Sequence, residues 1–300
     1  MFSKKLLIPL LSLSLLVTPA YSSHAAENAE AAGTSVEGQG MLSPSSSSES
    51  SESVFNGSGA GTSSEPVTDE KLETILKQVQ SQLPAENGTW AVFISDLVNG
   101  TEGSLNDQKM QAASLIKLYI MGAVYENYDQ ITGQYGSDSV DSNLYSMITV
   151  SDNDAANTLT TYLGGGDSAA GMQAVNSFCQ AHGYDQTHMG RMLLASNEND
   201  DNYTSVGDCG HLLQEIYKQD TSSYTHAADM FNLLKAQTRC NKIPAQLPEG
   251  VKTANKTGEL DNVENDAGII YDSKNDVVIV FMSQNLSSAG SAQNTIATLS

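Results

Sequence analysis

Residues 111–128 read QAASLIKLYIMGAVYENY. The stretch is apolar from Leu115 to Val124, and its length and spacing predict a helix over 114–128 that is buried on most sides. Two residues do not follow from packing alone: Ser114 at its head and Lys117 three positions later. Residues at i and i+3 share one helix face. At a helix N-terminus the free N–H groups and the dipole favour developing negative charge. A lysine held among apolar neighbours such as Ala112, Ala113, Leu115 and Ile116 has its pKa pushed down, which lets it take a proton near neutrality. Ser114 and Lys117 are therefore a candidate nucleophile and base. The competing reading is an N-cap serine beside a snorkelling lysine, and the pair taken alone favours it.

Working outward, Pro66–Leu83 has helical apolar spacing, with Thr68 or Asp69 as its start. Trp90–Leu97 reads as a strand closed by Val98-Asn99-Gly100, with a second short strand at Gly103–Leu105. Helical patterns follow at Leu144–Leu163, Ala169–His182, Ser205–Gln219 and Ser223–Arg239, with a polar loop over Gly183–Asn202. Strand patterns at Val251–Lys256, Ala267–Tyr271 and Val277–Ser283 precede a last helix at Ala289–Leu299. The expected fold class is α+β. One mostly antiparallel five-stranded sheet, flanked by the terminal helices, would join an all-helical lobe, with a cleft between them.

Two further triplets bear on Ser114. Ser151-Asp152-Asn153 lies in ITVSDNDAANTL, where a helix begins, and would otherwise be read as an N-cap. Lys256-Thr257-Gly258 lies at the end of the first late strand, in VKTANKTGEL, and would otherwise be an ordinary strand exit. The ordered set S-x-x-K, S-D-N, K-T-G resembles the signature of class A β-lactamases and penicillin-binding proteins. The likeness to this penicillin-recognising serine hydrolase family runs through residues 66–300 and includes Leu247–Leu260 and the two closing strands.

The resemblance implies a β-lactamase/transpeptidase-like fold and assigns roles. Ser114 would be acylated, Lys117 would share in its proton transfer, and Ser151 would pass a proton to the leaving nitrogen. Asn153 would hold Lys117 and the substrate amide. Lys256 and Thr257, with Gly258, would bind the substrate carboxylate. The N–H groups of Ser114 and Glu259 would form an oxyanion hole. One departure stands out. The family's loop carries a glutamate and, four residues on, an asparagine that together hold the deacylating water. In GRMLLASN the opening Arg191 and Asn197 match, but the glutamate position is Leu193. The nearby Glu198, Asp200 and Asp201 read as an exposed polar loop tip. Acylation is therefore expected and fast deacylation is not. The shortened run from Ser114 to Ser151 implies a trimmed helical lobe and a more open cleft.

Composition bounds the rest. MFSKK followed by the apolar Leu6–Val17 reads as a signal peptide over 1–26, with a membrane anchor as the alternative. Residues 27–65 carry six glutamates, no lysine or arginine, and the tract SPSSSSESSES. They are expected to be a disordered linker, leaving 66–300 as the folded domain of a secreted or surface-associated protein. Removing two lysines and six glutamates takes the net charge from −21 to −17. So acidic a domain disfavours nucleic acid. Cys179, Cys209 and Cys240 match no zinc spacing and allow at most one bridge, with Cys209–Cys240 one possibility. His188 and His211 read as ordinary surface or helix residues. No metal or organic cofactor is expected, and a monomer is. The expected partner is a small β-lactam or a peptidoglycan peptide. The function expected is slow β-lactam hydrolysis by an acyl-enzyme on Ser114. A D-Ala-D-Ala peptidase or transpeptidase is the first alternative. A non-catalytic wall-binding domain is the second, and the three intact triplets count against it.

Overall fold

The computed structural model describes residues 70–219, 224–271 and 275–300. The expected signal segment, the linker, the Pro66–Asp69 start of the first helix and the Ser223 start of a later one lie outside them. Helix α1 (Glu70–Gln82) leads into the hairpin of β1 (Thr89–Asp96) and β2 (Thr101–Leu105). A short strand β3 (Met110–Gln111) and a 3-10 turn (Ala113–Leu115) deliver the chain to α2 (Ile116–Glu126). The helical region continues through α3 (Tyr128–Tyr135), α4 (Ser137–Thr149), α5 (Asn153–Leu163) and α6 (Ser168–Ala181). A long loop and β4 (Tyr203–Thr204) precede α7 (Val206–Lys218) and α8 (Ala227–Lys235). A second 3-10 turn (Ile243–Gln246) precedes β5 (Lys252–Leu260), β6 (Val263–Tyr271) and β7 (Val277–Gln284), and α9 (Ala289–Leu299) closes the chain.

The five long strands form one antiparallel sheet in the order β2-β1-β7-β6-β5, as expected. The first hairpin joins the last strand in register from Thr89↔Gln284 to Asp96↔Val277, so strands far apart in sequence share the sheet's centre. Asp96 Oδ1 accepts from Val98 N and Asn99 N and shapes the turn between β1 and β2. Apolar residues occupy both faces because both are covered. Val92, Ile94, Ile279 and Phe281 pack with Leu72, Leu76, Ala292 and Ile296 of the terminal helices. Ala91, Phe93, Val278 and Val280 join the larger core of the helical lobe. Strand β5 is the sheet's edge, and it runs past the start of α2.

Several expected boundaries shift. The single helix expected over Leu144–Leu163 is two, α4 and α5, broken at Val150-Ser151-Asp152. Ser151 has a left-handed φ of 62°, and Asp152 caps α5 by accepting from Ala155 N. Apolar periodicity runs through the break because both helices face the same core. Helix α3 has one buried apolar residue, Ile131, too weak a stripe to read from sequence. The triplet Lys256-Thr257-Gly258 lies inside β5, which continues to Leu260. All three cysteines are free thiols, so a Cys209–Cys240 bridge is not formed; Cys209 is buried and Cys240 exposed. His188 pairs with Asp200 and His211 with Glu102, both at half-exposed positions.

Gly171 fixes how closely α5 and α6 approach. A Cβ there would lie 1.8 Å from Thr160 O, a backbone atom that cannot turn aside. Gly171→Ala is expected to force the helices apart and to destabilise the fold by about 3 kcal/mol, read as a lower midpoint in urea denaturation. An unchanged midpoint would refute the tight crossing.

Candidate active site

The segment before Ser114 is bent and pinned. Ala113 has φ 47°, a region alanine rarely occupies. Its neighbour Ala112 donates its N–H to Asn202 O at 2.9 Å and accepts from Asn265 Nδ2 at 3.1 Å. The tertiary contacts hold a conformation that local preference opposes. Ser114 consequently lies within the 3-10 turn just before α2, not at the first residue of a long α-helix. Ala113 and Leu194, at φ 47° and 67°, line one cleft, and Ser151, at 62°, is buried behind it; the other described non-glycine residues of positive φ are Asn106, Gln219 and Asn285.

Three predicted residues meet at Lys117. Its Nζ lies 3.2 Å from Ser114 Oγ, 3.1 Å from Ser151 Oγ and 2.7 Å from Asn153 Oδ1, and it donates to Ser151 O at 2.6 Å. The left-handed turn at Ser151 is what aims that carbonyl inward. Lys256 Nζ reaches the same Ser151 Oγ at 2.8 Å and also donates to Thr257 O. Both lysines are fully buried. Burial, helped by the Arg239 charge, lowers the Lys117 pKa to about 7. Burial, then the charges of Lys117 and Arg239, pushes Lys256 well below the usual lysine value. A serine hydroxyl beside an amine whose pKa burial has pushed down toward neutrality can lose its proton to it.

Gly258 lets β5 close on this turn. A Cβ there would lie 2.9 Å from Ala112 O and 3.2 Å from Ser114 N. The cleft in front has a volume of about 550 Å³, and Ser114, Asn153, Leu193, Asn197 and Glu259 are among its walls. Lys117, Ser151, Lys256 and Thr257 lie beneath it, buried. Leu193 is held at its backbone by Asn157, which accepts from Leu193 N and donates to Leu193 O. Leu194 is 75% exposed.

One expectation is overturned. Asp201 is not part of an exposed loop tip: it is buried, and it accepts from Arg191 Nε at 2.7 Å and from Gln111 Nε2 at 2.9 Å. Burial opposes its ionisation, but the donors of Gln111, Asn202 and Arg191 outweigh this and hold its carboxyl below the usual value. The Arg191–Asp201 pair therefore closes the base of the loop that carries Leu193 and Asn197. Glu198 and Asp200 are exposed, as expected. Sequence reasoning also missed Asn157, Arg239 and Lys242. The two cations flank Cys240 and precede β5, and lysine and arginine so close to a buried strand were the available signal.

A scan against protein-family models matches residues 71–135 and 132–300 to the family described as the Beta-lactamase enzyme family. The chain belongs to the β-lactamase enzyme family. Solved structures share its fold at low identity. PBP-A superposes with a TM-score of 0.66 at 22% identity, covering 76% of this chain and 93% of that one. The β-lactamase from Sphaerobacter thermophilus gives 0.62 at 21%, with coverage of 76% and 93%. An ancestral class A β-lactamase gives 0.64 at 20%, with coverage of 75% and 96%. No curated protein matches the chain. The β-lactamase fold explains why β5 and the start of α2 are brought together, and the chain is β-lactamase-like over its whole described length.

Proposed function

We propose that this protein is a serine hydrolase that is acylated on Ser114 by β-lactams or related amides and releases the acyl group slowly. The observation that carries the reading is the shared network of Ser114, Lys117, Ser151 and Lys256, set beside an apolar Leu193. Ser114 Oγ attacks the amide carbonyl while neutral Lys117 takes its proton. The oxyanion faces the N–H groups of Ser114 and Glu259. Ser151, held between two lysines, returns a proton to the leaving nitrogen as the C–N bond breaks. Asn153 and Asn197 orient the amide side of the ligand, and Lys256, Thr257 and Gly258 form the ridge beside its carboxylate. Water must then attack the ester without a carboxylate at position 193 to take its proton.

The same observation supports a peptidase- or transpeptidase-like alternative, in which a D-Ala-D-Ala peptide end acylates Ser114 with loss of its terminal residue, and water or an amine then takes the acyl group. Among the similar structures, a leucine-to-glutamate mutant of PBP-A is described as an acyl-enzyme complex with penicillin-G, which supports acylation in this fold. The test is intact mass over time for the full chain with penicillin. A lasting adduct of one penicillin is expected, and none in Ser114→Ala. Turnover on the order of 10–10³ per second without an adduct, or an undiminished adduct in the variant, would sink the proposal.

A further inference from the structure

The cations around Ser114 differ in what they can still reach. Lys117, Lys256 and Lys242 are fully buried. The first two direct their donors to Ser151, Asn153 and Thr257. Lys242 donates to Glu264 at 2.7 Å and to Glu259 at 3.0 Å. Arg191 is mostly buried against Asp201. Arg239 differs from these: its side chain is 44% exposed. Its backbone is hung beside the turn that carries Ser151, since Thr238 N donates to Thr149 O and Arg239 N to Gln237 Oε1. Its guanidinium meets the cleft through Glu259, a residue of the cleft wall to which it donates.

A positive group so placed suits the carboxylate of an anionic acyl donor. It is already engaged, because Arg239 Nη1 donates to Glu259 Oε2 at 2.6 Å. Glu259 lines the cleft, and its other oxygen takes Lys242. Burial works against its ionisation, but Lys242 and Arg239 outweigh that and hold its carboxyl below the usual value. The exposed Asp261 adds a second negative charge to the same wall.

We propose that the Glu259 side chain is an internal carboxylate that occupies Arg239, so that an acyl donor bearing its own carboxylate must displace Glu259 before Arg239 can join the ridge of Lys256, Thr257 and Gly258 in holding it. Glu259 then sets charge selectivity at the cleft, favouring neutral acyl donors over anionic ones. Its N–H and its side chain do separate jobs: the first faces the reacting carbonyl, the second screens the anchor. The proposal rests on the reading of Ser114 as the acylated residue. Removing the Glu259 charge leaves Lys242 with Glu264, so the buried ammonium keeps a partner.

The experiment compares acylation rate constants for penicillin-G and its neutral methyl ester on the full chain, followed by intact mass. The quantity read is the acid-to-ester ratio, which cancels any shared effect on the oxyanion donor. In Glu259→Gln the ratio is expected to rise about tenfold, as for releasing one half-buried ion pair. Adding Arg239→Gln in that background should cancel the rise. Arg239→Gln alone, which leaves the Glu259 charge facing the ligand, should lower the ratio below wild type and serves if the first variant folds poorly. An unchanged ratio in all three variants, with Ser114 still acylated, overturns the clamp alone. A rise that survives loss of Arg239 also overturns it. No adduct on wild-type Ser114 from either compound overturns the clamp together with the reading beneath it.

Discussion

Lys117→Met is expected to slow acylation of Ser114 by about 10²–10⁴-fold, the usual contribution of a positioned base, while making the protein more stable. Both effects come from the same burial. The folded pKa of Lys117 is about 7, below the ordinary 10.5. Between those values the unfolded chain holds one proton more than the folded one, so the stability contributed by this group rises with pH. The penalty for burying the ammonium is complete below about pH 7 and is relieved as pH climbs toward 10.5. Methionine fills the space without charge, but it leaves Ser151 O and Asn153 Oδ1 without a donor. The net gain at pH 6 is expected to be on the order of 1–3 kcal/mol, shrinking toward pH 9. Thermal denaturation at the two pH values reads it. The rate side has its own signature: wild-type acylation should climb through about pH 7 and level off above. A flat profile from pH 5 to 9 would remove Lys117 as the base.

Leu193→Glu is expected to shorten the life of the acyl-enzyme by about 10²–10⁴-fold with little change in how fast it forms. Among the described residues no carboxylate stands at the Leu193 position, and Asp261, which shares the cleft wall with Glu259, is exposed. Asp201 is held by Arg191 and Gln111, and Glu259 by Arg239 and Lys242, while Glu198 stands exposed. Leu193 lines the cleft on a backbone that Asn157 grips at both N–H and C=O, so a new side chain starts from a fixed stem. A brief exposure to penicillin, removal of the excess and a time course of adduct loss would measure it. A folded variant with an adduct as durable as wild type would mean that a missing carboxylate is not what slows release.

The legible parts of this chain were those with local signals. The amphipathic α1, the short apolar runs of β1 and β7 and the final helix, read at Ala289–Leu299 and found there, each carry a local signal. The triplets around Ser114, Ser151 and Lys256 were visible as residue types in order. The cap residues at Ser151-Asp152-Asn153 signalled a helix start, but Leu144–Leu163 still read as one helix because α4 and α5 bury apolar residues in one core on either side of it. Asp201 was misread because its surroundings, SNENDDNY, are polar, and only the return of the loop to Arg191 and Gln111 buries it. Arg239 and Lys242 gave no sign of their partners, which lie 17 to 22 residues away along β5 and β6.

What the sequence determined by itself is the inventory: an acidic α+β chain with a serine and lysine one turn apart, two supporting triplets, and a leucine where a carboxylate was expected. Covalent order and local preference suffice for that. What only the tertiary structure decided is which groups meet and in what state. Lys117 loses its proton readily because packing removes water from it, and Ser151 turns its carbonyl inward against its own backbone preference. Glu259 finds Arg239 because β5 is the sheet's edge and lies against the segment that follows α8. Desolvation, strain and ion pairing between distant segments depend on distances that close only when the whole core is buried, so the order of residues does not contain them.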